Sequence, residues 1–165
     1  MHIALVSIPQ HESLVDLLCE LNRHYHPASV IPREVVRTHL LDNLLGAASP
    51  VRLVVAARED GRVAGLAAIM LLHSLVEPSP DASGHCHLKE LFVRASDRGQ
   101  GVGGALMAWI AAHAVQNRCR RIDWPVNAAN PRGIAFYERL GAKRVAERLS
   151  YRLSGEGLDW LARGG

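Results

Sequence analysis

Four glycines fall within six residues at Gly99-Gln100-Gly101-Val102-Gly103-Gly104, behind Arg98 and ahead of Ala105. Glycine loses more conformational freedom on folding than any other residue, so so dense a cluster belongs where the backbone turns sharply or closely approaches a ligand. This one lies between a β-rich run ending at Val93 and an apolar helical stretch from about Val102 to Arg118. A strand that turns through glycines into a helix aims backbone N–H groups at one point, and the helix dipole adds positive charge there. The expected occupant is an anion, most naturally a pyrophosphate. The plainer reading is a turn that only joins two elements.

Two phosphate loops invite comparison. The triphosphate loop ends in Gly-Lys-Ser/Thr, whereas Gly104 is followed by Ala105. The dinucleotide fingerprint G-x-G-x-x-G is met literally by Gly99, Gly101 and Gly104, and Asp123 stands where its ribose-binding acid would fall. That fingerprint opens directly after its strand, but here Arg94 to Arg98 intervene, and Asp123 falls inside the next β-rich run. An NAD(P)-binding protein is the weaker alternative.

The periodicity around the loop sets the fold class. Residues 2–8 read as a strand, and Leu14, Leu17, Leu18 and Leu21 recur at three- and four-residue steps as one helix face. A second helix follows Pro32 through Val35, Val36, His39, Leu40 and Leu44 to Gly46. Two β-rich runs, 51–58 and 62–72, are joined by Glu59-Asp60-Gly61, a hairpin signal. Further strands are expected at 85–93, 121–126 and 144–153. A helix opens at Asn130, with Pro131 in its first position and Gly141 as its stop, and Leu158–Ala162 suggests a last helical turn. The order describes one domain over 1–165 of the α/β (α+β) class, a mixed sheet with helices on its faces.

Composition narrows the partners. Hydrophobic residues make up 48% and charged ones 21%, as in an ordinary folded domain. The longest apolar run, Val63 to Leu72, is half of the roughly 20 residues a membrane span needs. Three cysteines without a C-x-x-C spacing, and no secretory pattern at the N-terminus, suggest reduced thiols and a cytoplasmic location. A net charge of +3 is too weak for a nucleic-acid binder, but it is unevenly spread. Residues 94–144 hold nine Lys/Arg against three Asp/Glu, while residues 1–93 hold seven against ten. The H-x-H pairs His24/His26 and His85/His87, the latter around Cys86, lack a third ligand at a recognisable spacing, so no metal is expected.

Two motifs in order carry a family resemblance. Leu91-Phe92-Val93, a five-residue spacer and Arg98-Gly99-Gln100-Gly101-Val102-Gly103 resemble the acetyl-CoA motif R/Q-x-x-G-x-G/A of the GNAT (GCN5-related N-acetyltransferase) family. Asn130 to Ala142, reading NPRGIAFYERLGA, is similar to that family's N-x-x-A-x-x-F-Y-x-x-x-G-F/A segment. The run from Phe136 to Ala142, with Tyr151-Arg152-Leu153 and Leu158-Asp159-Trp160-Leu161 after it, most resembles the diamine (spermidine/spermine-type) acetyltransferase branch.

The resemblance implies a mostly antiparallel twisted sheet of six to seven strands flanked by about four helices. Residues 1–50 would supply the first strand and the acceptor-side helices, and 85–142 the acetyl-CoA-binding core. Acetyl-CoA would be the co-substrate, held by Leu91, Phe92, Val93, Arg98, Gly99, Gln100, Gly101, Val102, Gly103, Gly104, Asn130, Arg132, Gly133 and Tyr137. The acetyl group would pass directly, in a ternary complex, to a primary amine of a small molecule that is polyamine-like, aminoglycoside-like or amino-acid-like. Tyr137 would protonate the leaving thiolate, Glu90 would take the proton of the amine, and Tyr25, Lys89 and Glu90 would face the acceptor. As successive strand residues, Lys89 and Glu90 are expected to point to opposite faces. An acid commonly occupies the position of Lys89 in the diamine branch, so this sequence departs there. A homodimer is a further implication. The alternative on the same fold is a non-catalytic acyl-CoA-binding or regulatory module.

Overall fold

From Leu53 to Ala57 and from Val63 to Ile69 every residue is buried, so these two segments are covered on both faces. In the computed structural model, which describes residues 1–164, they belong to strands β2 (Arg52–Ala57) and β3 (Val63–His73). These are central strands of a five-stranded sheet in the order β1-β2-β3-β4-β5. β1 (His2–Leu5), β2, β3 and β4 (Gly84–Val93) pair antiparallel, and β5 (Cys119–Asp123) joins β4 in parallel. Helix α1 (His11–Tyr25) and short α2 (Arg33–Thr38), which runs on into a π-helical turn at His39–Leu44, precede β2. Helix α3 (Val102–Gln116) makes the crossover from β4 to β5.

The two faces of the sheet are filled from different segments. Leu14, Val15, Leu17, Val36 and Leu40 pack with Leu53, Val55, Leu66, Ala68 and Phe92 in one core. On β3, Gly65 alternates with Leu66 and so points the other way, where Val102 and Leu106 of α3 come close. A Cβ at Gly65 would lie 3.1 Å from Val102 Cγ1 and 3.2 Å from Leu106 Cδ1. The absent side chain is what lets α3 start so near the strand.

The chain forms two compact units, Met1–Pro125 and Val126–Gly165. Within the second, α4 (Pro131–Arg139) begins as the sequence predicts: Asn130 Oδ1 accepts from the Gly133 N–H at 2.9 Å, and Pro131 opens the helix. Gly141, at φ +84°, ends it, and α5 (Glu156–Ala162) matches the expected last helical turn. Among the described residues the α-helices therefore number five. The sheet is smaller than the six to seven strands expected, because residues 144–153 are irregular. Their alternating apolar residues are strand-like, but Leu149 and Tyr151 stay 77% and 88% exposed, and among its described residues that unit has α4 and α5 but no strand for them to pair with. Among the described residues, no helix is long and apolar enough to cross a membrane.

One buried ion cluster fastens the glycine loop to this scaffold. Asp97, 1% exposed, lies in the short turn between β4 and the loop. Its carboxylate accepts from Arg58 Nη2 at 2.7 Å, Arg62 Nη1 at 2.8 Å and Ser96 Oγ at 2.8 Å. Arg58 and Arg62 bracket the β2–β3 hairpin turn, and Arg58 Nη2 also donates to Gln100 Oε1 at 2.6 Å. Glu20 of α1 accepts from the Ala95 N–H at 2.7 Å and pairs with Arg94 at 3.3 Å. The Arg62 guanidinium above all, with Arg58 and Ser96, holds the Asp97 carboxyl far below the usual carboxylate range against the opposing effect of burial. Asp97→Asn should therefore cost about 3 kcal/mol, since one partner of a buried pair is lost. At this chain length that is a Tm lower by roughly 6–12 °C in a thermal melt. The Asp97 contribution is present above the unfolded pKa of about 4 and is lost as pH falls toward the lowered folded value. The gap in Tm between wild type and variant should accordingly close in melts taken below about pH 4.

Candidate active site

A β-bulge decides what faces the space under α1. β3 and β4 pair Ala68 with Glu90 but Ile69 with Leu88, so Lys89 is the extra residue on β4. Without it, Leu88 and Glu90 would share a face. With it, Leu88 is buried, while Glu90 lies opposite Ala68 and beside Leu66 and Phe92 on the α1 side. The expectation that Lys89 and Glu90 point to opposite faces is thus overturned: both line one cavity.

That cavity has a volume of about 420 Å³ and lies between α1, α2, the π-helical turn and strands β2 to β4. Its wall is mostly aliphatic, with Leu18, Leu21, Val36, Leu53 and Leu66 among the contributors. Polar groups come from Asn22, Tyr25, His26, His39, Lys89 and Glu90. Tyr25 is the last residue of α1. The Tyr25 hydroxyl donates to Glu90, 3.2 Å from Oε2 and 3.3 Å from Oε1, and the Leu91 N–H reaches Oε1 at 3.2 Å. Burial lifts the Glu90 carboxyl above its ordinary value, partly offset by these two donors. The Tyr25 phenol is also raised, first by burial and then by the Glu90 charge. His24 stands 5.7 Å from the Phe92 ring, and His85 and His87 lie on β4 outside the cavity lining.

On its other edge β4 loses its neighbour. β5 ends at Asp123, opposite His87, so among the described residues no strand pairs with the β5-side edge of β4 from Leu88 to Val93. The strand then feeds the glycine loop, where Gly99 and Gly101 take φ +75° and +80°, a backbone region that L side chains rarely adopt. Gly101 is the N-cap of α3, so the N–H groups of Val102, Gly103 and Gly104 fall in its first turn, where helical N–H groups have no partner within the helix. A Cβ at Gly99, Gly101 or Gly104 would enter open space, with no atom within 4 Å. Arg98 lies against the loop, its Nε donating to the Val93 carbonyl at 3.0 Å and its guanidinium 5.4 Å from the centroid of the Phe92 ring. Gln100 spends both ends of its side chain on Arg58 and the Ser96 carbonyl, so it shapes the loop from within.

In the second unit Asn130 and Gly133 form the cap of α4, Arg132 is exposed, and Tyr137 is half-buried with its ring 5.1 Å from that of Phe136. Several residues that build the site carry no local sequence signal. Asp97 is 39 residues from Arg58, and Leu53 enters the cavity from a strand that reads only as core.

Residues 15–142 match the model of the acetyltransferase (GNAT) family. Over 73 residues the chain is 33% identical to an L-ornithine N5-acetyltransferase of Arabidopsis thaliana, covering 44% of this chain and 32% of that protein. Over 79 residues it is 29% identical to a thialysine N-epsilon-acetyltransferase of Sus scrofa, covering 46% of each. The matches thus span less than half the length of these curated relatives. An integron cassette protein from the mobile metagenome of V. cholerae superposes with a TM-score of 0.86 at 30% identity, covering 99% of both chains. With the strand, the glycine loop and α3 inside the matched region, the chain belongs to the GNAT acetyltransferase family.

Proposed function

We propose that this chain transfers an acetyl group from acetyl-CoA to a primary amine of a small molecule held in the cavity beneath α1. The observation that carries the reading is the half-buried Glu90 carboxylate, set among aliphatic side chains on the strand that leads into the glycine loop. Support for CoA comes from the loop itself: two glycines at positive φ, open space above them and first-turn N–H groups fit a pyrophosphate. The edge of β4 that β5 leaves unpaired from Leu88 onward offers backbone groups with which an extended pantetheine arm could pair as an added strand does. Arg98 would add positive charge beside the loop, and a part for Asn130, Arg132 and Gly133 rests on the family resemblance alone.

When bound, acetyl-CoA supplies the thioester that an amine can attack. Glu90 takes a proton from the acceptor ammonium, and its raised pKa makes it a stronger base than an ordinary carboxylate. Tyr25 orients that carboxylate and contributes to the acceptor-facing wall. Tyr137 holds the phenolic proton that the leaving sulfur needs, as the family resemblance implies. A homodimer belongs to the same reading.

Thiol release from acetyl-CoA across a panel of small amines tests the whole. Binding of CoA with no acceptor that accelerates release would turn the reading to a non-catalytic acyl-CoA module. Tyr137→Phe should lower kcat by about 100-fold or more, with the Kd for CoA within about twofold of wild type. Wild-type kcat/KM should fall as pH drops through the raised Glu90 pKa, because the base must be ionised. In Glu90→Gln that acid limb should vanish and the plateau should drop by about 100-fold. Gly101→Ala places a Cβ at φ +80° in the open space over the loop, and titration calorimetry should show the Kd for CoA rising about tenfold or more.

A further inference from the structure

We infer that the cavity beneath α1 selects amines with a single ammonium group on an apolar body, and rejects diamines and polyamines. The inference rests on the acetyltransferase reading and goes further, to the class of acceptor. At about 420 Å³ the cavity falls within the roughly 300–1,000 Å³ range of small-ligand sites. Among its described lining residues Glu90 is the only carboxylate, and Tyr25 already donates to it. One carboxylate matches one ammonium. The rest of an acceptor would meet Leu18, Leu21, Val36, Leu53 and Leu66, which reward methylene and aromatic surface and offer nothing to a second charge. A second ammonium four to six carbons from the first would lie unpaired against that wall.

The other polar lining groups do not supply the missing negative charge. Asn22 and His26 bring no carboxylate, and the Nδ1 of His39 is 3.0 Å from the side-chain amide of Asn43. Lys89, placed on the cavity by the bulge, belongs to none of the ion pairs found among the described residues. Its ammonium repels a second cation. An aliphatic wall, one carboxylate and one lysine together describe a pocket for a hydrophobic monoamine.

Matched amines of near-equal basicity test this: n-hexylamine against 1,6-diaminohexane, and the n-alkylamines from propyl to hexyl, with thiol release from acetyl-CoA as the readout. The expected kcat/KM for n-hexylamine exceeds that for 1,6-diaminohexane at least 30-fold and rises about fourfold per added methylene along the alkyl series. Lys89→Glu should narrow the monoamine-to-diamine ratio at least tenfold, while its thermal stabilisation by CoA stays as in wild type. Equal or faster turnover of the diamine, or a flat alkyl series, overturns the inference and leaves the acetyltransferase reading standing. An unchanged ratio in Lys89→Glu overturns the part given to Lys89. No turnover with any amine, despite stabilisation by CoA, overturns the acetyltransferase reading and the inference with it.

Discussion

The carboxylate of Asp97, out of contact with solvent and gripped by two arginines, is the constraint on which the Met1–Pro125 unit turns. Burying a charge is tolerable only when partners replace its water. Here those partners come from both sides of the β2–β3 hairpin turn, so the charge can be satisfied only when the hairpin and the end of β4 are in register. The same arginine that reaches Asp97 also reaches Gln100, and Gln100 reaches back to Ser96. A loop of four glycines would otherwise sample many conformations. The ion cluster restricts it from its polar end, while Val102 and Leu106 packed over Gly65 restrict it from the apolar end.

A second constraint acts through a single inserted residue. The bulge at Lys89 breaks the two-residue period of β4 and turns Glu90 into the α1 side of the sheet. There the carboxylate meets the tyrosine that ends α1, and burial keeps its proton affinity high. A charge on that face is an irregularity in a surface otherwise given to Leu53, Leu66, Ala68 and Phe92. Such departures from the local rule mark places where the chain does something other than pack.

Much of the fold was legible because periodicity reports burial. The apolar runs 51–58 and 62–72, the leucine spacing of α1, and the Asn130-Pro131 and Gly141 boundaries of α4 each follow from local physics, and each stands in the structure. Residues 144–153 show the limit of that reasoning. Alternation there is as good as in a true strand, yet a strand exists only beside another, and the unit that holds them provides none. Likewise the parity rule misplaced Lys89 against Glu90, because a bulge is set by how two strands align and leaves no trace in one of them.

The sequence by itself determined the glycine loop, its setting between strand and helix, and the residue types able to serve chemistry, since these depend on backbone freedom and on neighbours a few positions away. Only the tertiary structure decided that Tyr25 and Glu90, 65 residues apart, share a hydrogen bond. It also decided that Arg58 and Arg62 hold the loop through Asp97, and that one cavity contains a single carboxylate beside a lysine. The reason is physical: desolvation and Coulomb interaction depend on distance in space, and chain separation carries almost no information about it beyond a helical turn or a hairpin.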